Sequence, residues 1–269
     1  MNVSNRVAVI TGAGSGIGRA TALALARRRC HLALGDIDGA GLRETAAMLA
    51  NIGVRVTTHR FDVADREAVR ILPGQVLAAH RRVDLLINNA GVALGGSFEQ
   101  VSEEDFEWLM DINFNSVVRM TRAFLPILRR SDSARIVNVS SIYGIVSPPG
   151  QAAYSASKFA VRGFSNALRH ELEGSTVAVS VVHPGGVATA IARNARVPQG
   201  TPPDDVAQGR KLAEKLLRLA PETAGEIIAR GIEQGQSRIL VGTDAKVVSI
   251  LERISPVNYW RFLKKATAR

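Results

Sequence analysis

The feature that most restricts this chain is the alternation of short, β-rich apolar runs with longer helical stretches. Residues 7–10, 31–34, 54–58, 83–87, 135–139, 177–182 and 238–241 read as strands, and helical patterns fill the intervals. Strands buried on both faces are apolar throughout rather than alternating, and strands joined by helices pair in parallel through βαβ units. The expected fold class is therefore α/β: one open, doubly wound, mainly parallel sheet of about seven strands with helices on both faces. Crossovers in such a sheet are right-handed, and ligands bind in the crevice beyond the strand carboxyl ends. A chain of 269 residues, 46% hydrophobic and 22% charged, has enough apolar surface to bury one such core as a single domain.

Several function classes drop out at once. The single cysteine, Cys30, excludes an intramolecular disulfide framework, and with five scattered histidines it leaves no thiolate metal site, so no metal is expected. Cys30 ends the Arg27-Arg28-Arg29 run, where cations lower a thiol pKa, but a plain helix-end residue is the favoured reading. No apolar run reaches the roughly 18 residues a membrane span needs, and the chain passes from Asn5 and Arg6 straight into its first strand without a signal-peptide layout. A cytoplasmic protein, attached to a membrane peripherally if at all, is expected.

The first strand runs into Thr11-Gly12-Ala13-Gly14-Ser15-Gly16-Ile17-Gly18, and a helical pattern follows. Glycines permit a tight turn and close backbone approach to phosphate, while a helix N-terminus offers unpaired N–H groups and a positive dipole end. Strand, turn and helix in this order form a site for a dinucleotide pyrophosphate. Asp36, at the end of the second strand, is placed to accept hydrogen bonds from the adenosine ribose hydroxyls and to repel a 2′-phosphate. Neither Ser15 nor Ile37 supplies a compensating cation, which favours NAD over NADP. Asp38 suits the alternative role of helix cap better than Asp36 does.

Tyr154 and Lys158 stand four apart on a predicted helix and project from one face. A tyrosine of pKa near 10 is a poor base at neutral pH, but a nearby ammonium and a positively charged nicotinamide favour its phenolate. Ser141 and its neighbour Ser140 follow the strand at 135–139, where a hydroxyl can orient a substrate oxygen.

The glycine turn, Asn88-Asn89-Ala90-Gly91 and Tyr154-Ser155-Ala156-Ser157-Lys158 together resemble the short-chain dehydrogenase/reductase family, in its shorter oxidoreductase branch. The resemblance runs in the family's order from Thr11 to Thr189 and implies a Rossmann-type domain. It implies a catalytic set of Asn113, Ser141, Tyr154 and Lys158. The family serine precedes the tyrosine by thirteen residues, which selects Ser141, and Asn113 is chosen over Asn115 by register within Asp111-Ile112-Asn113-Phe114-Asn115. The family asparagine holds a helix irregularity and a water that links the lysine to solvent, and Lys158 is implied to hold the nicotinamide ribose. Cofactor contacts carry over to Gly12, Ser15, Gly16, Ile17, Gly18, Asp36, Asp62, Val63, Asn89, Ala90 and Gly91, and to Tyr154, Lys158, Pro184, Gly185, Val187 and Thr189. Asn89 serves equally well as scaffold. His183, beside the last of these segments, is expected to be a satisfied strand histidine rather than a general base.

The substrate is expected to meet Ser141, Ile142, Tyr154 and Ile191, with Ala93-Leu94 and Val146 to Pro149 nearby. This mostly apolar border points to a hydrophobic secondary alcohol or ketone. The function expected is an NAD(P)-dependent oxidoreductase working through tyrosine acid/base chemistry. A non-catalytic NAD(H)-binding regulatory protein is the alternative, opposed by the intact catalytic set. A homodimer or homotetramer is expected by family analogy.

Residues 1–245 are expected to form the catalytic domain. Residues 193–205, with Pro198, Gly200, Pro202 and Pro203, read as a long loop within a substrate lid at 193–220. Residues 246–269 form a basic amphipathic extension with apolar stripes Val247, Ile250, Leu251, Ile254 and Tyr259, Trp260, Leu263. Ser255-Pro256 is expected to cap and open the second helix. The extension holds Lys246, Arg253, Arg261, Lys264, Lys265 and Arg269 against Glu252 alone, which is half of the chain's net +10. The remaining charge calls for no polyanion, so no nucleic-acid partner is expected. An anionic membrane, the substrate pocket and a sister subunit are the candidate partners of the extension.

Overall fold

A computed structural model describes the backbone of residues 1–267 and the side chains of residues 1–264. The seven strands are β1 (Val7–Thr11), β2 (His31–Asp36), β3 (Val56–Arg60), β4 (Leu85–Asn88), β5 (Ala134–Val139), β6 (Val177–Pro184) and β7 (Arg238–Val241). They form one sheet in the order β3-β2-β1-β4-β5-β6-β7, and every pairing is parallel, so the sheet has no antiparallel edge strand. All seven coincide with the apolar runs of the sequence. The largest offset is in β3, where Gly53 at φ +76° turns the chain and delays the ladder to Val56.

Alternate residues of each strand feed two cores. Ala8, Ile10, Leu32 and Leu34 pack under helices α1 (Gly16–Arg27), α2 (Gly39–Leu49) and the later α8 (Pro221–Glu233). Val9, Ala33, Leu86 and Ile136 pack under α3 (Arg66–His80), α5 (Ser116–Leu128) and α6 (Ala152–Glu171). Helix α4 (Glu103–Met110) passes into α5 through a π-helical segment, Asp111–Asn115. The strand order reverses between β1 and β4, and the crevice outside their carboxyl ends is where such a sheet receives a ligand.

Two local expectations are corrected. The loop predicted over residues 193–205 ends early, because Pro203 opens α7 (Pro203–Leu216). At a first helical position proline's missing N–H costs no hydrogen bond and its fixed φ suits the helix. In the extension, Ser255 and Pro256 do not cap and open a helix. They lie between α9 (Thr243–Ile254), whose C-cap is Ser255, and α10 (Tyr259–Thr267), which starts three residues after Pro256. Helix α9 begins before residue 246, so the expected domain boundary falls inside it. Arg269 and the side chain of Lys265 lie outside the described residues.

The amino end of the sheet is held by a buried carboxylate. Asp84 accepts from Arg82, Arg6, the Ser131 hydroxyl at 2.6 Å and the Val7 N–H at 2.9 Å. Burial alone raises its pKa, but these donors hold it below the usual carboxylate value. Cutting one partner from a buried charge network costs several kcal/mol. Asp84→Ala should therefore lose roughly 3 kcal/mol of unfolding free energy in denaturant titration; a loss below about 1 kcal/mol, the scale of an exposed pair, contradicts this role.

Candidate active site

The turn between β1 and α1 is shaped to admit a phosphate. Gly12 takes a left-handed φ of +66°, and a β-carbon there would stand 2.8 Å from the Asn89 side-chain nitrogen. A β-carbon on Gly18 would run into the Gly12 carbonyl. Ser15, at the N-cap of α1, makes no side-chain cap, so the first N–H groups of the helix stay available for an anion. Gly16 faces the methyl of Thr189, which brings Thr189 to the mouth of the turn beside Ile17. The Asp36 carboxylate accepts from the N–H groups of Gly14 at 2.8 Å and Asp38 at 2.9 Å. It therefore stands against the turn, where ribose hydroxyls would reach it, and Asp38 caps α2 as expected. Asp62 accepts from the Ala64 N–H, while Phe61 ties to the Asp36 carbonyl, so Asp62 and buried Val63 sit on the same flank. These residues fit a dinucleotide: a cradle that side chains would fill, free helix-end donors and an acceptor for the ribose.

Asn89 donates to the carbonyls of Thr11 and Gly12, and Thr11 accepts from the N–H groups of Asn89 and Ala90. The Asn89 side-chain NH2 is thus spent on clamping β1 to β4. Arg60 and Arg43 approach Gly39 on the rim beyond Asp36, with Arg60 donating to the Ile37 carbonyl.

Tyr154 and Lys158 lie on α6, with Lys158 buried and its ammonium 5.6 Å from the centroid of the Tyr154 ring. Lys158 Nζ donates to the Val139 carbonyl at the end of β5 at 3.3 Å. Burial brings the lysine down to about 8 and pushes the phenol up to about 12. The neighbouring Ser141 hydroxyl opposes this shift and Tyr143 adds to it, while Ser141 Oγ accepts from the Tyr143 N–H at 3.1 Å. The two serines separate cleanly: Ser140 donates to the Lys158 carbonyl at 2.8 Å, whereas Ser141 faces Tyr154.

Asn113 is buried within the π-helical segment, and Asn115 instead donates to Asp111 at the surface. The Asn113 amide accepts from the Val92 N–H at 2.8 Å and donates to the Val92 carbonyl and to Ser157. Both amide hydrogens are thus used, while Oδ1 keeps a second lone pair. Gly91 lies between Asn113 and Lys158.

The segment after β6 crosses this end of the sheet as a strap. Gly185 donates to the Val241 carbonyl, Val187 pairs with Leu219, and Thr189 donates its N–H to Val187. Farther on, Arg196 pairs with Leu94, stacks on Trp108 at 3.6 Å and bonds Asp105. Between the strap and α7 lies a cleft of about 160 Å³ bordered by Thr189, Ala192, Arg193, Arg210 and Glu214. Ile191 is half-buried in the strap, and Ile142 half-buried next to Ser141. Tyr154 itself packs beside Val92, Leu94 and Trp108.

Two supporting residues were not legible in the sequence, and a third, His183, was. Asp244 of α9 accepts from the Gly186 N–H at 2.6 Å and fixes the turn that leads to Thr189. Tyr143 meets Tyr154 edge to face at 6.0 Å. His183 is more than a packed strand residue: its Nδ1 lies 2.9 Å from the Ser141 carbonyl, and its Nε2 is buried without a partner. A carbonyl only accepts, so Nδ1 carries the proton. Burial pulls His183 down to about 4, which keeps it neutral. Cys30 is buried and pushed up to about 12, an unreactive thiol.

A parallel sheet with a glycine cradle at its switch point and a Ser-Tyr-Lys cluster beside it defines a nucleotide-dependent oxidoreductase. The family model for short chain dehydrogenase matches residues 6–200. SadH of Mycobacterium tuberculosis, named no more finely than as an oxidoreductase, is 44% identical over 98% of this chain and 96% of its own. A crystal structure of a short-chain dehydrogenase/reductase from Burkholderia phymatum in complex with NAD superposes with TM-score 0.87 at 32% identity, covering 94% of each chain. An alcohol dehydrogenase from Thermococcus sibiricus complexed with 5-hydroxy-NADP aligns at TM-score 0.76 and 29% identity, over 88% of this chain and 95% of its own. The chain belongs to the short-chain dehydrogenase/reductase family.

His183 is then a positioning residue for Ser141. His183→Leu should lower kcat by about tenfold, the scale of one lost hydrogen bond. His183→Asn, which offers an amide donor at similar reach, should restore most of it; equal losses in the two variants would reduce His183 to packing.

Proposed function

We propose that this chain is an NAD-dependent alcohol dehydrogenase or carbonyl reductase that interconverts an apolar secondary alcohol and its ketone. The observation that carries this reading is the meeting of Ser141, Tyr154 and buried Lys158 at the carboxyl end of β5, beside the glycine cradle. When bound, the nicotinamide accepts hydride from the carbinol carbon or returns it. In oxidation the Tyr154 phenolate takes the hydroxyl proton, and in reduction the phenol gives a proton to the developing alkoxide. Ser141 orients the substrate oxygen by hydrogen bonding, and the Lys158 ammonium lowers the cost of the phenolate.

Asp36 supports NAD, since its carboxylate lies where a 2′-phosphate would bring like charge. The Val92, Leu94 and Trp108 cluster around Tyr154 supports an apolar substrate. Residues 193–220 act as a lid: α7 has no buried side chain, and the strap before it is pinned to Leu94. The working protein is a cytoplasmic homodimer or homotetramer, by analogy with its family.

Nicotinamide absorbance over a panel of alcohols and ketones, with NAD and NADP in parallel, tests this reading. Turnover should be faster with NAD and with apolar secondary alcohols, and Tyr154→Phe should lose about a thousandfold in kcat. Undiminished turnover by the variant would remove Tyr154 from proton transfer, and turnover of small charged alcohols alone would overturn the substrate class.

A further inference from the structure

We infer that α9 and α10 dock the protein on an anionic lipid surface through an apolar face rimmed by basic side chains. Ala245 and Val248 of α9 are buried, and Val248 joins Ile145 and Val146 in a small core. Helix α10 is anchored on the same core by Leu263 and by Tyr259, whose hydroxyl accepts from the Ser147 N–H at 3.0 Å. The helices are therefore seated on the protein, yet their other faces remain apolar. Val247, Ile250 and Ile254, spaced three and four apart on one face of α9, are 62%, 60% and 77% exposed. Val257 in the connecting turn and Phe262 on α10 are 86% and 56% exposed. Apolar residues this large and this close in sequence mark an interaction surface rather than scattered exposure.

Charge selects the occupant. Lys246 and Arg253, seven residues apart, run along one flank of the apolar face, and Arg261 is exposed on α10. Glu252, the sole acidic residue after Lys246, is half-buried, whereas Lys246 and Arg253 are exposed. A two-fold contact with a second copy sets the same patch against itself and would bring these cations together. An anionic bilayer surface matches them, with the apolar side chains entering the headgroup boundary and the cations meeting lipid phosphates. No helix among the described residues is long and apolar enough to cross a membrane, so the attachment is peripheral. The face adjoins the segment between Ser141 and Tyr154 through Tyr259 and Ser147. Docking does not depend on the substrate class proposed above.

Co-sedimentation of the full chain with phosphatidylglycerol-containing and pure phosphatidylcholine vesicles tests the inference. The wild type should pellet with the anionic vesicles and be released by high salt. Each basic residue near such a surface contributes roughly fivefold in partition, so Lys246→Glu/Arg253→Glu should lose at least twentyfold. Ile250→Ser/Ile254→Ser should lose at least tenfold, with the thermal midpoint and the solution mass of both variants unchanged. Wild-type protein that stays in the supernatant with anionic vesicles overturns the inference. So does a loss confined to the charge variant, which would mean bulk attraction only, and so does a fall in solution mass of the apolar variant, which would make this face a subunit contact.

Discussion

Burying a lysine against a half-buried tyrosine is the constraint on which the rest of this structure depends. Burial disfavours the charged form of each, so it raises the phenol and lowers the ammonium. The pair is useful for proton transfer only if its surroundings hold both side chains still and supply compensation. The surrounding groups do this from several directions. The end of β5 offers a carbonyl to Lys158, Ser140 pins the backbone of α6 at Lys158, and Ser141 counters part of the rise in the phenol. Asn113 and Ser157 then tie α6 to the loop after β4.

The two ends of the sheet divide the work. At the amino end every polar group near Asp84 is spent on structure, with two arginines, a serine and a backbone N–H on one carboxylate. At the carboxyl end, the N-cap of α1 makes no side-chain bond, and the glycine turn leaves space that any side chain would fill. A rigid base under an open rim permits a large charged ligand to enter without disturbing the core. The strap from Pro184 to Arg196 joins the two requirements, since Asp244 and Leu94 fix its ends while Thr189 faces the turn.

The centre of the sheet was legible in the sequence because strands such as β1, β4 and β5 are buried on both faces and appear as apolar runs, whereas edge strand β3, half-buried and polar, was placed two residues early. The glycine turn and the Tyr154 to Lys158 spacing were legible because their geometry is local. Asn113 could be placed only by motif register; the use of its amide by Val92 depends on the π-helical segment, which no local pattern announces. His183 with Ser141 and Asp244 with Gly186 are contacts between distant parts of the chain, 42 and 58 residues apart, and leave no periodic signal. The start of α10 was misplaced because Ser-Pro also suits a turn, and here the turn prevails while Tyr259 is drawn to Ser147. The apolar stripe of α9 was visible, but only the packing of Val248 shows that the stripe faces away from the body.

The most direct measurement is the phenolate titration of Tyr154, taken as the absorbance difference between the wild type and Tyr154→Phe, with and without saturating NAD. Burial places the Tyr154 step above the ordinary tyrosine value of 10.0 in the free protein. The positive nicotinamide should then move it down by at least one unit, about 1.4 kcal/mol of differential stabilisation. A step at or below 10.0 in the free protein, or one that NAD leaves in place, would contradict the claim that burial and charge together set this proton.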